Sequence, residues 1–373
     1  MKKSIIAIIS VIIVLGFFYG VSVGHYQIFP FDIIKDIKNL SNENIEENPL
    51  NTISQENISE LIDIQNIDDI ELKKSELIYY IWNNDHLPNH VPTNIENNMM
   101  SSNYDDIENL ERSEIYEITM DYNVISKPEL FLSQVSNNKL IIYHRGHDDG
   151  NYLLGKDTIS YFLNKGYAVL AFSMPLVGEN NQPIVDLDKF GKIKLKYHAD
   201  LELLETSNFS PIKFFIEPII VSLNYIDNNY NFDSIYMIGI SGGGWTTTLS
   251  SAIDERISKS YSVAGTSPFF MKTTMNDHGD YEQRLASLYQ ITNYLELYTM
   301  ASYGENRVHY QIFNKFDPCC FSEDPRLILL EPINQKLSYL SGNFEIWVDD
   351  THKEHKISQS MHERILESLN EIS

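Results

Sequence analysis

Residues 234–248, SIYMIGISGGGWTTT, decide the reading of this chain. Ile235, Met237, Ile238 and Ile240 form an apolar run of strand length, and residues 245–253 read as the helix that follows. Between them Gly239-Ile240-Ser241-Gly242-Gly243 fits G-x-S-x-G. A serine between a strand end and a helix start must take a strained backbone, and neighbours without a β-carbon let the chain turn that sharply. Its hydroxyl then stands clear of the sheet above a helix N-terminus, where N–H groups and the helix dipole favour developing negative charge. Ser241 is therefore the candidate nucleophile. Glycine-rich strand-to-helix turns also bind phosphates or simply pack tightly, so the reading turns on whether an acid and a histidine follow.

The elements around this turn alternate. Strands are expected at 139–143, 167–172, 234–240, 257–263, 309–313 and 344–348, and helices at 158–164, 211–226, 245–253, 332–340 and 357–369. Such alternation is what a mostly parallel sheet with crossover helices on both faces produces. Before it, 115–122 and 129–135 read as a pair of strands, and 73–82 as a helix with Leu77, Ile78, Ile81 and Trp82 on one face.

At 373 residues the chain can bury a large core. A net charge of −24 excludes the basic face a nucleic-acid partner needs. The two cysteines, Cys319 and Cys320, are adjacent; a vicinal disulfide and two buried thiols both fit the sequence.

The N-terminus carries a different message. Lys2 and Lys3 precede an apolar run over 5–23, long enough to span a bilayer, with the lysines favouring a cytoplasmic N-terminus. Residues 1–24 are thus expected to be a signal-anchor, or a signal peptide cleaved near Ser22-Val23-Gly24, placing the rest outside the cytoplasm, anchored or secreted. Residues 25–72, acidic and Asn-rich, are expected to be a tether, and 73–373 the folded domain.

A serine elbow on an α/β sheet calls for the order Ser, acid, His. Asp317 lies where the chain leaves the 309–313 strand, within Asn314-Lys315-Phe316-Asp317-Pro318. The last strand runs into Asp349, Asp350, His352 and His355 before the final helix. The residues alone leave His352 and His355 in competition as base, and Asp317, Asp349 and Asp350 as acid.

Here the sequence resembles the α/β-hydrolase superfamily, particularly its dienelactone-hydrolase and acetyl-xylan-esterase-like members. Their catalytic histidine opens the last helix in an H-x-I-S-like context, matched by His355-Lys356-Ile357-Ser358. The resemblance implies an α/β-hydrolase fold from about residue 115 to the C-terminus, His355 as base and Asp317 as acid. Asp317 stands where the family often carries Gly-x-x-Asp, without the glycine. It also implies an oxyanion hole built from the Gly242 N–H and a loop after an earlier strand. That loop, Tyr143-His144-Arg145-Gly146-His147, carries Arg145 where glycine is usual; Gly146 is the expected donor and His147 the second choice.

The implied function is cleavage of small-molecule carboxylic esters through an acyl-enzyme, with no metal or cofactor. The rivals are a serine peptidase on the same triad, a zinc hydrolase using His144, His147, His352 and His355, and a non-catalytic ectodomain. Two stretches, 173–210 and the aromatic-rich 268–304, could wall a pocket, although aromatics at helical spacing also make ordinary core. Oligomeric state is not legible.

Overall fold

Each apolar run of strand length becomes a strand. In the computed structural model, β1 (Asn94–Asn97), β2 (Leu110–Thr119), β3 (Ile125–Ser126) and β4 (Glu129–Ser133) precede β5 (Lys139–His144) and β6 (Ala168–Phe172). Then come a hairpin, β7 (Ile184–Leu187) and β8 (Gly191–Lys194), and the strands β9 (Ser234–Ile240), β10 (Ile257–Val263), β11 (Val308–Asn314) and β12 (Asn343–Asp349). The main sheet has the order β1-β2-β4-β6-β5-β9-β10-β11-β12, with β3 paired to β2. From β6 to β12 along this order every pairing is parallel, while β1, β2 and β4 add an antiparallel edge. The structure describes residues 16, 19, 55–97, 104, 107–147, 152–272, 279–319, 321–322 and 324–371.

Period-two alternation sends successive side chains to opposite faces, and helices cover both. Leu140 and Ile142 of β5, Leu170 of β6 and Met237 of β9 pack under Ile219, Leu223 and Ile226 of α5 (Lys213–Asn229). Burying each such side chain contributes about 1.5–3 kcal/mol. On the other face Tyr261, in register with Ile238, donates to or accepts from Ser368 of α11 (Gln359–Asn370) at 2.7 Å. Phe162 of α3 (Tyr152–Leu163) packs edge-on to His362 of α11. The hairpin of β7 and β8 is not legible in the sequence because its strands are short and largely exposed, burying only Val185.

One compact unit covers Ile53–Ser373, which corrects the expected boundary between tether and domain. Residues 55–72, expected to belong to a tether spanning 25–72, contribute α1 (Gln55–Glu60) and the start of α2 (Ile67–Trp82). The Asn-, Glu- and Asp-rich composition hid four apolar anchors, Ile58, Ile62, Ile64 and Ile70, all buried. Asn66 caps α2 in a capping box with Asp69. Asp63 N–H donates to Glu296 at 2.9 Å and Lys73 pairs with the same carboxylate at 3.2 Å, fastening the segment to the body. The 5–23 run on which the anchor rests lies, apart from residues 16 and 19, outside the described residues. Among the described residues no helix is long and apolar enough to cross a membrane.

Candidate active site

Parallel pairing delivers the carboxyl ends of β5, β9, β10, β11 and β12 to one edge of the sheet. His144 at the end of β5 is in register with Gly239 of β9, so the residues after each strand meet. Ser241 follows β9 directly, with φ 57° and ψ −127°, and α6 (Gly242–Ile253) begins at the next residue. A non-glycine residue in such a backbone costs on the order of 1–3 kcal/mol. The Ser241 N–H, donated to Val263 O at 2.9 Å, helps hold it there. The helix starts three residues earlier than the sequence pattern indicated.

Close packing explains the flanking glycines. A β-carbon on Gly239 would lie 2.1 Å from Gly243 O, and one on Gly243 would lie 2.2 Å from His144 O. Strand, elbow and the loop after β5 therefore touch backbone to backbone. A β-carbon on Gly146 would stand 2.7 Å from Ser241 Cβ and 3.4 Å from its Oγ. Gly146, Ile240 and His355 line one pocket, with Tyr143, Thr158 and Ile357.

The arginine at the position where glycine was expected has turned away. The Arg145 N–H donates to Phe172 O at 3.0 Å, extending the pairing of β5 with β6, so it is committed elsewhere. Its side chain runs past Gly155, where a β-carbon would meet Arg145 Cδ at 2.7 Å, and its guanidinium donates to Ser173 Oγ at 2.7 Å. Gly155 on α3 is the accommodation that lets an arginine occupy this loop.

Of the competing acids and histidines, two pairs are in contact, and the shorter joins His355 to Asp317. His355 Nδ1 lies 2.6 Å from Asp317 Oδ2, and the Asp317 side chain is fully buried. The other Asp317 oxygen accepts from the Cys319 N–H at 2.8 Å. Cys319 is itself disulfide-bonded. Asp349 is occupied otherwise: Oδ1 accepts from Thr351 N and Oγ1 at 2.9 and 2.6 Å, and Oδ2 accepts from Ser358 Oγ. Burial raises the Asp349 pKa, but these donors outweigh it and hold the carboxyl below its usual range. It ties the last loop to the cap of α11. Asp350 is 65% exposed, with Lys315 4.0 Å away. His352 lies 3.3 Å from Asp349 and accepts from the Glu354 N–H at 3.2 Å.

The four-imidazole zinc arrangement is not assembled. His144 is buried, stacks on Phe172 and faces Arg145 O at 2.8 Å; burial pushes its pKa down to about 4. His352 and His355 face different aspartates. His147 instead turns toward His198, Asp280 and Glu282, a set of side chains with metal-ligand chemistry. Sequence reasoning singled out none of these three partners. No local spacing joins them, and only their location in the two suspected wall segments pointed that way.

Those walls are partly core. Met174 is buried, with its Cε 2.6 Å from where a β-carbon on Gly242 would stand. Trp245 Nε1 donates to Tyr289 OH at 2.8 Å, which donates to Tyr294 OH at 2.7 Å. Tyr289 thus braces Trp245 of α6, and Tyr281, Tyr294 and Tyr298 of the same stretch are buried core.

The sheet order, the helices on both faces and the strained serine at the strand-to-helix turn are those of the α/β-hydrolase fold, and comparison with solved structures agrees. The chain is similar to an acetyl xylan esterase from Paenibacillus sp. R4 at 14% identity, covering 85% of this chain and 98% of that one, with TM-score 0.54. It is similar to acetyl xylan esterase 1 from a Thermoanaerobacterium species at 12% identity, covering 84% and 97%, TM-score 0.51. A glucuronoyl esterase from Solibacter usitatus matches at 11% identity, covering 80% and 90%, TM-score 0.51. No protein-family model matches the chain, and no curated protein matches its sequence. At these identities the likeness establishes the fold.

Proposed function

We propose that this chain is a serine hydrolase of small carboxylic esters. The observation that carries the reading is the 2.6 Å contact between His355 Nδ1 and Asp317 Oδ2, formed at the sheet edge where Ser241 stands in its strained turn. With its proton on Nδ1, His355 presents a basic Nε2. Ser241 Oγ attacks the ester carbonyl, Nε2 takes the hydroxyl proton, and Asp317 holds the ring and stabilises the imidazolium. The tetrahedral oxyanion is received by the Gly242 N–H at the start of α6 and by the Gly146 N–H. Collapse expels the alcohol, which takes the proton from His355. Water, deprotonated by the same histidine, then releases the acid and restores Ser241.

Ester rather than peptide bonds are favoured because the structural neighbours carry esterase names. The test is labelling with a fluorophosphonate probe. Wild type is expected to label and Ser241→Ala not to; no labelling of wild type, or equal labelling of both, overturns the reading and leaves a non-catalytic domain. Residues 1–24 carry the further reading of an exported, anchored or secreted enzyme. Recovery of the full chain in the soluble cytoplasmic fraction of its own cells would refute that.

A further inference from the structure

His147 follows Gly146 out of the oxyanion loop and brings its ring over Gly242; a β-carbon there would lie 2.4 Å from His147 Cε1. Its Nε2 then faces three ligand-type atoms at once. Asp280 Oδ2 is 2.7 Å away, His198 Nδ1 2.8 Å and Glu282 Oε1 3.3 Å, while His198 Nδ1 and Glu282 Oε1 are 3.4 Å apart. All four atoms lie within 4.8 Å of one another. They come from three separate segments: the loop after β5, the insertion after β8, and the segment before α9 (Tyr294–Ser302).

A proton alone serves this arrangement badly. Placed on His147 Nε2 it can be directed at one of the three neighbours. Glu282 is 0% exposed; among the described residues its Oε1 meets only the two imidazole nitrogens, at 3.3 and 3.4 Å, and its Oε2 meets no donor. Its distances to the two imidazole nitrogens are longer than a charge-assisted hydrogen bond requires. A buried carboxylate held only by such long contacts is expensive, and a divalent cation would answer it.

His198 carries an independent sign. Its Nε2 lies 3.0 Å from Pro175 O, so the proton sits on Nε2 and the bare Nδ1 lone pair points into the cluster. A backbone carbonyl on the far nitrogen is how metal-ligating histidines are commonly oriented. Phe215 packs edge-on against the same ring, giving the site an apolar wall.

We propose that His147, His198, Asp280 and Glu282 form a four-coordinate zinc site. With metal–ligand bonds of about 2.0–2.2 Å, tetrahedral ligand atoms lie roughly 3.3–3.6 Å apart; the 2.7 and 2.8 Å pairs would open toward that spacing, the 3.3 and 3.4 Å pairs already have it, and the widest, up to 4.8 Å, would close. Two imidazoles and two carboxylates select zinc over calcium or magnesium, which take six or more oxygen ligands. Two carboxylate charges neutralise the ion. Four protein ligands leave no open position, so the metal is structural: it clamps the 279–282 segment and the insertion bearing His198 onto the oxyanion loop beside Gly242. This site is independent of the triad, and its metal takes no step in ester hydrolysis.

The experiment uses the full chain without a histidine tag, stripped with chelator and reloaded with zinc chloride. Elemental analysis is expected to find one zinc per chain in wild type and in Ser241→Ala. Asp280→Asn should weaken zinc at least tenfold in competition with a chromophoric chelator, and Glu282→Gln should lose it. Cobalt(II) should give the intense visible bands of a tetrahedral site in wild type and lose them in Asp280→Asn. Asp280 is half exposed, so its variant should fold even if Glu282→Gln does not. Wild type that retains no metal after loading, or zinc binding unchanged in Asp280→Asn, overturns the proposal.

Discussion

The Asp317 carboxylate reaches His355 Nδ1 at 2.6 Å across 38 residues of sequence, while its other oxygen takes the Cys319 N–H. Both oxygens are thereby fixed and the imidazole is held in one tautomer. Asp317→Asn should reverse that tautomer and lower kcat on p-nitrophenyl acetate by on the order of 1,000–10,000-fold with the circular dichroism unchanged. Asp350→Asn should leave kcat within about twofold, because Asp350 stands in solvent. If Asp350→Asn proved the more damaging, the acid would belong to the last loop instead.

His355→Ala should cost about 1,000-fold or more in kcat, whereas His352→Ala should act mainly on stability through its contact with Asp349. Parallel measurement of kcat and Tm separates the two. Comparable losses of kcat at an unchanged Tm would mean that the pair cannot be divided in this way.

Gly146→Ala puts a methyl group 2.7 Å from Ser241 Cβ and 3.0 Å from Ile240 O, neither of which can yield easily. At least a tenfold fall in kcat is expected as the loop withdraws from Ser241. Gly155→Ala meets chiefly the flexible Arg145 side chain and should leave kcat within a fewfold. Similar kinetics for the two alanines would mean that the loop's closeness to Ser241 is irrelevant to turnover.

His362 is buried under Tyr161 and Phe162, with Nε2 2.9 Å from Thr158 Oγ1, and burial pushes its pKa from 6.5 down to about 4. The unfolded chain takes up this proton first as pH falls. The contribution to stability is therefore complete above about 6.5 and is lost between about 6.5 and about 4, at up to about 1.4 kcal/mol per pH unit. His362→Gln can keep the Thr158 bond without titrating, so its urea-derived stability should fall less steeply over that window. Parallel curves for variant and wild type would exclude this source of acid sensitivity.

Asn66 accepts from the N–H groups of Asp68 and Asp69 at the head of α2. Asn66→Ala should cost about 1 kcal/mol by chemical denaturation. An undetectable change would indicate that this segment contributes little to the cooperative unit, contrary to its buried isoleucines.

The sequence by itself determined what is local. A strand-length apolar run ending in Gly-Ile-Ser-Gly-Gly can only turn sharply there, and alternating strand and helix patterns require crossovers that bring strand ends to one edge. Ser241 and the order of serine, acid and histidine follow from that. The domain's start was hidden because four isoleucines scattered through an acidic segment have no clear period, and only the body they pack against makes them core.

The tertiary structure decided which loop residues meet. Asp317, Asp349 and Asp350 are chemically identical along the chain; burial and donors separate them once β11 and β12 lie side by side. The Arg145 N–H is withheld from the site by pairing with β6, a contact set by register between strands. His147, His198, Asp280 and Glu282 converge from three separate segments, and convergence of that kind leaves no periodicity or spacing in the sequence because it depends on how those segments pack over the sheet edge.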